Sequence, residues 1–123
     1  MNGGPDPWLD TVHDLLSESR RRIILYYFLE NEHATIDALA RRIVSREGNG
    51  PPKSVDSTET TELTISLVHK HLPKLERHGV LEYDDRNEDV VRDDDRFGEL
   101  AEFVRRARQL ERDGIDLREV EEQ

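Results

Sequence analysis

Lys70, Lys74 and Arg77 follow one another at spacings of four and three, so on a helix they share one face. A stripe of cations is what a groove-reading helix offers to DNA phosphates, and equally what an ordinary solvated face looks like. Thr60 and Thr64, one turn apart near the start of the same stretch, are expected to complete the contact, with Thr64 influencing which base sequence is preferred. Leu63 and Leu67 run against this picture. At a regular helical period they lie on the outward side with Lys70 and Lys74, where a base-reading helix rarely offers two leucines. Contact with thymine methyls, cover by the 48–57 linker through Val55, or cover by a partner chain would each accommodate them.

Arg86, beside Asn87 in the polar turn between Asp84 and Asp89, is the other expected DNA contact, because a hairpin tip can reach the backbone or the minor groove. The acids around it oppose that role, and an Asx-rich turn chosen for its geometry is the preferred explanation. Arg20-Arg21-Arg22 opens a helix, where the dipole disfavours cations. These three either touch phosphate or pair with Asp14 and Glu18. His69 and His71 are two apart and point in opposing directions on a helix, while His71 and His78 share a side two turns apart. With no cysteine in the chain, no metal and no cofactor is expected. The sequence carries no Gly-rich phosphate loop, nucleophile elbow or carboxylate pair placed for acid–base work, so an enzyme is not expected either.

The elements that must position these residues are legible in the apolar pattern. Ile65, Val68, Leu72 and Leu75 fall at spacings of three, four and three, which predicts a helix with that face inward. Pro73 interrupts it, and the pattern predicts either a kinked continuous helix or two helices meeting at Leu72. Gly79 ends it. Val80-Leu81-Tyr83 and Val90-Val91, separated by the polar turn, predict a hairpin. Upstream, Trp8–Leu16 reads as a short amphipathic helix and Arg20–Leu29 as the central buried one, capped by Ser17 or Ser19. His33–Ile36 could add a brief edge strand, and a further helix capped by Thr35 or Asp37 runs to about Arg46, burying Ile36, Leu39, Ala40, Ile43 and Val44. Downstream, Asp94–Asp113 is helical, with Asp93-Asp94-Asp95 suiting its N-terminal dipole, and Gly114 is expected to stop it.

At 123 residues the chain is one domain. Residues 1–7 are expected to be disordered, 8–92 to form the domain proper, 93–113 an additional C-terminal helix and 114–123 an acidic tail. In that C-terminal helix Phe97, Leu100, Val104 and Ala107 recur at the seam spacing of a helix pair, which predicts a homodimer interface. The alternative is that the helix folds back on Trp8–Leu16 of its own chain. Hydrophobic residues are 34% and charged residues 37%, and the longest apolar run is too short to span a bilayer. No signal peptide is apparent, so a soluble cytoplasmic protein without membrane partners is expected. Net charge is −10, from 18 basic and 28 acidic residues, and only Lys53, Lys70 and Lys74 are lysines. Acid excess with scarce lysine suits molar salt, where a Debye length of ~3 Å removes most repulsion from DNA.

The order helix, helix, helix, long helix, hairpin, helix predicts a mainly α winged helix-turn-helix with a small β-hairpin and an additional C-terminal helix. Leu16-Ser17 with Arg20-Arg21-Arg22 and Ile24-Leu25, then Leu39-Ala40, then His71-Leu72-Pro73-Lys74-Leu75 and Gly79-Val80-Leu81-Glu82-Tyr83-Asp84, resemble a haloarchaeal winged-helix family. The resemblance covers residues 14 to 92, and its members are described as ArsR-like or uncharacterised. It implies the winged-helix fold and binding of double-stranded DNA in transcriptional regulation. Where relatives carry basic residues at the start of the long helix, this chain has Thr60-Thr61-Glu62. A winged helix used only for protein–protein contact, anchored by Leu63 and Leu67, is the rival reading. No residue pattern identifies a target site or a small-molecule effector.

Overall fold

The computed structural model describes residues 7–47 and 57–121, with side chains over 7–47 and 61–112. Its elements run α1 (Pro7–Leu16), α2 (Ser19–Glu30), β1 (His33–Thr35), α3 (Ile36–Glu47), α4 (Ser57–Ser66), a π-helical turn (Leu67–His71), α5 (Leu72–Arg77), β2 (Leu81–Asp84), β3 (Asp89–Arg92) and α6 (Asp94–Glu121). This is a winged helix-turn-helix: α2, α3 and the α4–α5 helix form the helical core, and β2–β3 is the wing. The strand order is β1-β3-β2, all antiparallel, so the expected four-residue edge element does pair and the hairpin gains a third strand. The stretch linking α3 to α4, including Val55, lies outside the described residues, as do residues 1–6 of the expected disordered N-terminus. Pro7 already belongs to α1.

Local chemistry explains where the elements begin and end. Thr35 accepts the Ala38 N–H at 3.0 Å and caps α3. Gly79, at φ +75°, donates to the Glu76 carbonyl at 2.9 Å, and Val80 donates to the Leu75 carbonyl at 3.1 Å. That bond pair is a Schellman motif, and its apolar contact is supplied by the buried Val80 and Leu75. Glu88 takes the left-handed region at φ +55°, costly for a side chain, but its carbonyl accepts the Ile36 N–H at 3.0 Å and ties the hairpin to α3. At α2 neither serine caps the helix: Glu18 occupies the cap position without a side-chain bond, and Ser17 turns back on the Asp14 carbonyl. The far end of α2 is closed by Arg92, which donates to the Phe28 carbonyl at 2.8 Å, a cation where the dipole favours one.

The core is built on Ile24, Leu25 and Phe28 of α2, all fully buried. Half-buried Ile23, Tyr26, Tyr27 and Leu29 pack around them, as expected of a helix apolar on nearly every side. Val90 and Ala34 face each other across β1 and β3 and point inward, while Val91 points out. The α6 helix is continuous through Gly114, against the expected stop there. A single glycine costs about 1 kcal/mol in a helix interior and does not by itself end one.

Candidate nucleic-acid interface

The phase of the third helix differs from the one its spacing predicts. Pro73 cannot donate a backbone bond, and its ring would clash with the His69 carbonyl in a regular α-helix. The chain answers with the π turn: the Leu72 N–H reaches back five residues to the Leu67 carbonyl. One extra residue in a turn rotates everything before it by about 100° relative to everything after it. Leu72 and Leu75 are buried as expected, but the residues above them on the same face are Leu63, 4% exposed, and Leu67, 0%. Ile65, expected inside, is 53% exposed, and Val68 is half-buried. The two leucines that argued against groove insertion therefore lie in the core and anchor no partner. The outward strip holds Thr61, Ile65 and His69, with Glu62 beside it.

The cations expected on that strip are occupied elsewhere. Lys70 Nζ lies 2.9 Å from Glu18 Oε1, and Lys74 Nζ lies 2.6 Å from Asp14 Oδ2. Both acids belong to the α1–α2 corner, which covers this flank of the helix. The lysine bonds hold the Glu18 and Asp14 carboxyls below their ordinary range. Arg77 faces a different hollow, shared with Trp8 and Arg96 near the start of α6. Thr64 is half-buried, and the Thr60 side chain lies outside the described residues. Arg86 is exposed at the wing tip without an ion pair among the described residues. Its backbone N–H donates to Asp84 Oδ1 at 3.0 Å and Asn87 Nδ2 donates to Asp84 Oδ2 at 2.8 Å, the Asx-turn geometry expected there. Of the predicted set, Lys70 and Lys74 are thus held by acids of the α1–α2 corner, Arg77 lines a separate hollow and Arg86 stands on the wing.

The arginine triplet pairs, but of the expected acids only Glu18 is used, by Arg21; Asp14 offers Arg21 its carbonyl, and the other two arginines find different partners. Arg20 reaches Glu47 at 2.9 Å and Arg22 reaches Glu111 at 2.8 Å. Arg21, 3% exposed, uses all five of its N–H donors: the Leu15 and Asp14 carbonyls, the Ser17 hydroxyl, the Glu18 carboxylate and His71 Nδ1 at 3.4 Å. An arginine has no acceptor, so His71 must be neutral with its proton on Nε2, and burial pushes its pKa down accordingly. Sequence reasoning weighed His71 only as a metal ligand and missed this buried pair. A helical histidine on the same side as core leucines was the available signal. Among the described residues no three His, Asp or Glu side chains gather as a metal site, and no helix is long and apolar enough to cross a membrane.

The stripe expected to form a dimer seam is spent within the chain. Phe97, Leu100 and Val104 are 3%, 0% and 0% exposed where α6 packs on α2 and α1, and Ala107 is half-buried. The fold-back alternative is what occurs, with α2 as the larger partner. Two copies could pair only through another surface. Among the described residues, Phe103 and Leu110, at 37% and 51% exposure, are the large apolar side chains α6 leaves outside.

Three helices, a three-stranded sheet with its wing and an outward strip on the third helix define a protein of the winged helix-turn-helix class. Residues 13–92 match the family described as a domain of unknown function, DUF7344, and the chain belongs to that family. The match ends with β3, so α6 lies beyond it. No curated protein and no solved structure matches the chain significantly.

Proposed function

We propose that the protein binds double-stranded DNA and acts in transcriptional regulation, reading bases with Thr61, Ile65 and His69 and touching the backbone with Arg86 of the wing. The observation that carries this reading is the outward strip of the third helix, on which Ile65 is 53% exposed with the exposed His69 one turn on. The resemblance to ArsR-like haloarchaeal regulators supports it, and so does the composition. In molar salt, lysine–phosphate attraction is largely screened and the net charge of −10 ceases to repel DNA. Hydroxyl, imidazole and methyl contacts to base edges then carry a larger share of recognition. Lysines committed to Glu18 and Asp14 are consistent with that division of labour, and a regulator of this kind works in the cytoplasm.

A second reading rests on the same strip. Thr61, Glu62, Ile65 and His69 include no lysine or arginine, and Ile65 is half exposed, which suits a protein partner as well as a groove. Selection of bound fragments from a randomised duplex pool, repeated across a salt series, separates the two. The DNA reading expects one enriched motif that Ile65→Glu abolishes while the fold is retained. No enrichment at any salt, with the unmutated chain folded, overturns it in favour of the protein partner.

A further inference from the structure

A cleft of about 380 Å³ opens between α2, α3 and α6, and among the described residues none of α4, α5 or the hairpin lines it. Arg42 and Arg46 enter it from α3, Arg108 and Arg112 from α6, together with Ile23 and Tyr26 of α2. Two carboxylates also border it, but each is already engaged. Glu47 takes both forks of Arg20 at 2.9 and 3.2 Å, and Glu111 accepts from Arg22 and from the Tyr26 hydroxyl. Of the four cleft arginines, Arg108 reaches Glu30 at 2.9 Å and Arg42 lies over the Tyr27 ring at 5.2 Å. No carboxylate among the described residues lies within ion-pair distance of Arg42, Arg46 or Arg112.

In a chain of net charge −10, this cleft concentrates positive charge that its own acids do not neutralise. Arginines in excess over the carboxylates that border them, with both carboxylates already bonded, leave a local positive field that concentrates the opposite ion. Guanidinium forks match phosphate and carboxylate oxygens two at a time, and the volume falls within the ordinary range for small-molecule sites. We infer that the cleft is a binding site for a small, multiply charged oxyanion, a phosphate ester or a polycarboxylate, whose organic part rests on Ile23 and Tyr26. The site does not depend on the DNA reading. Its ligand would bridge α3 to α6, so occupancy clamps onto the winged domain the helix that lies beyond the family match.

The test is a titration of the full chain with inorganic pyrophosphate and, separately, with citrate at constant ionic strength, followed by amide chemical shifts. Saturable shifts confined to the cleft-lining parts of α2, α3 and α6 are expected with at least one probe, pyrophosphate indicating a phosphate ligand and citrate a polycarboxylate. Arg46→Gln combined with Arg112→Gln removes two charge-assisted contacts and should weaken that binding roughly a hundredfold. Arg105→Gln, on α6 but outside the cleft, should leave it unchanged. Shifts that fail to saturate with either probe, that spread over the surface, or that survive the double substitution overturn the assignment. Should the double variant not fold, the shift map of the unmutated chain decides alone.

Discussion

Up to and within the π turn the third helix buries Leu63 and Leu67 and leaves Thr61, Ile65 and His69 to solvent; after it, α5 buries Leu72 and Leu75 and gives Lys74 to Asp14. The two halves read alike in sequence, apolar residues at helical spacing beside cations and hydroxyls. They differ because a turn of another period separates them and because the second places a lysine against an α1 acid. Spacing assigns a face only while the period holds, and a cation's role depends on which element comes to lie across from it.

The strongest way to break this comparison is to truncate one side chain on each face. Leu67→Ala should lower stability by about 3 kcal/mol, while Ile65→Ala should change it by less than about 0.5 kcal/mol. Chemical denaturation would reveal the opposite ranking if the helix kept a regular phase through Pro73. Next in size is Arg21→Met, which takes the buried donor from the Leu15 carbonyl and the cation from Glu18 and should cost roughly 2–3 kcal/mol. Lysine should not rescue it, since a point charge cannot fill five directions. Retention of full stability by Arg21→Met would mean that the α1–α2 corner is not what pins α5.

His71 sharpens the same point through pH. Its folded pKa lies below the ordinary value of 6.5, so as pH falls through that value the unfolded chain takes up the proton first and stability is lost. The lowered carboxyls of Asp14, Glu18 and Glu111 act in the same direction, but only near their ordinary values of 3.8 and 4.5. Between neutral and mildly acidic pH the loss therefore belongs to the histidine. His71→Gln, which keeps an acceptor for Arg21, should flatten that part of the stability profile; an unchanged slope would place the proton uptake elsewhere. The smallest effect is expected from Lys74→Gln. A partly exposed ion pair is worth less than about 1 kcal/mol, and DNA affinity, measured against the Ile65→Glu variant, should stay near that of the unmutated chain. A large drop in affinity and salt slope would return Lys74 to the DNA.

Much of the fold was legible because its signals are local. Gly79 with Val80 and Leu75 ends the helix by bonds between near neighbours, Thr35 caps α3 three residues on, and the hairpin follows from two β-branched runs around an Asx-rich turn. The site was far less legible. Pro73 announced a disturbance, but not that the disturbance would be one inserted residue, and that residue moved Leu63 and Leu67 inside and Ile65 out. That Lys70 and Lys74 meet acids is invisible to spacing, because Glu18 and Asp14 are distant in sequence and adjacent only in the folded chain.

The order of helices and strands, their approximate ends and the apolar stripe of each were already set in the amino-acid sequence, since backbone preferences and hydrophobic period act over a few residues. Which element each stripe meets was settled by tertiary packing. Phe97, Leu100 and Val104 would satisfy a second copy of the chain as well as they satisfy α2, and the apolar surface they bury is the same either way. Charge behaves likewise. Coulomb attraction depends on separation in space, so the fate of Arg21, Lys74 and the arginines of the α2–α3–α6 cleft was decided only when the helices came together.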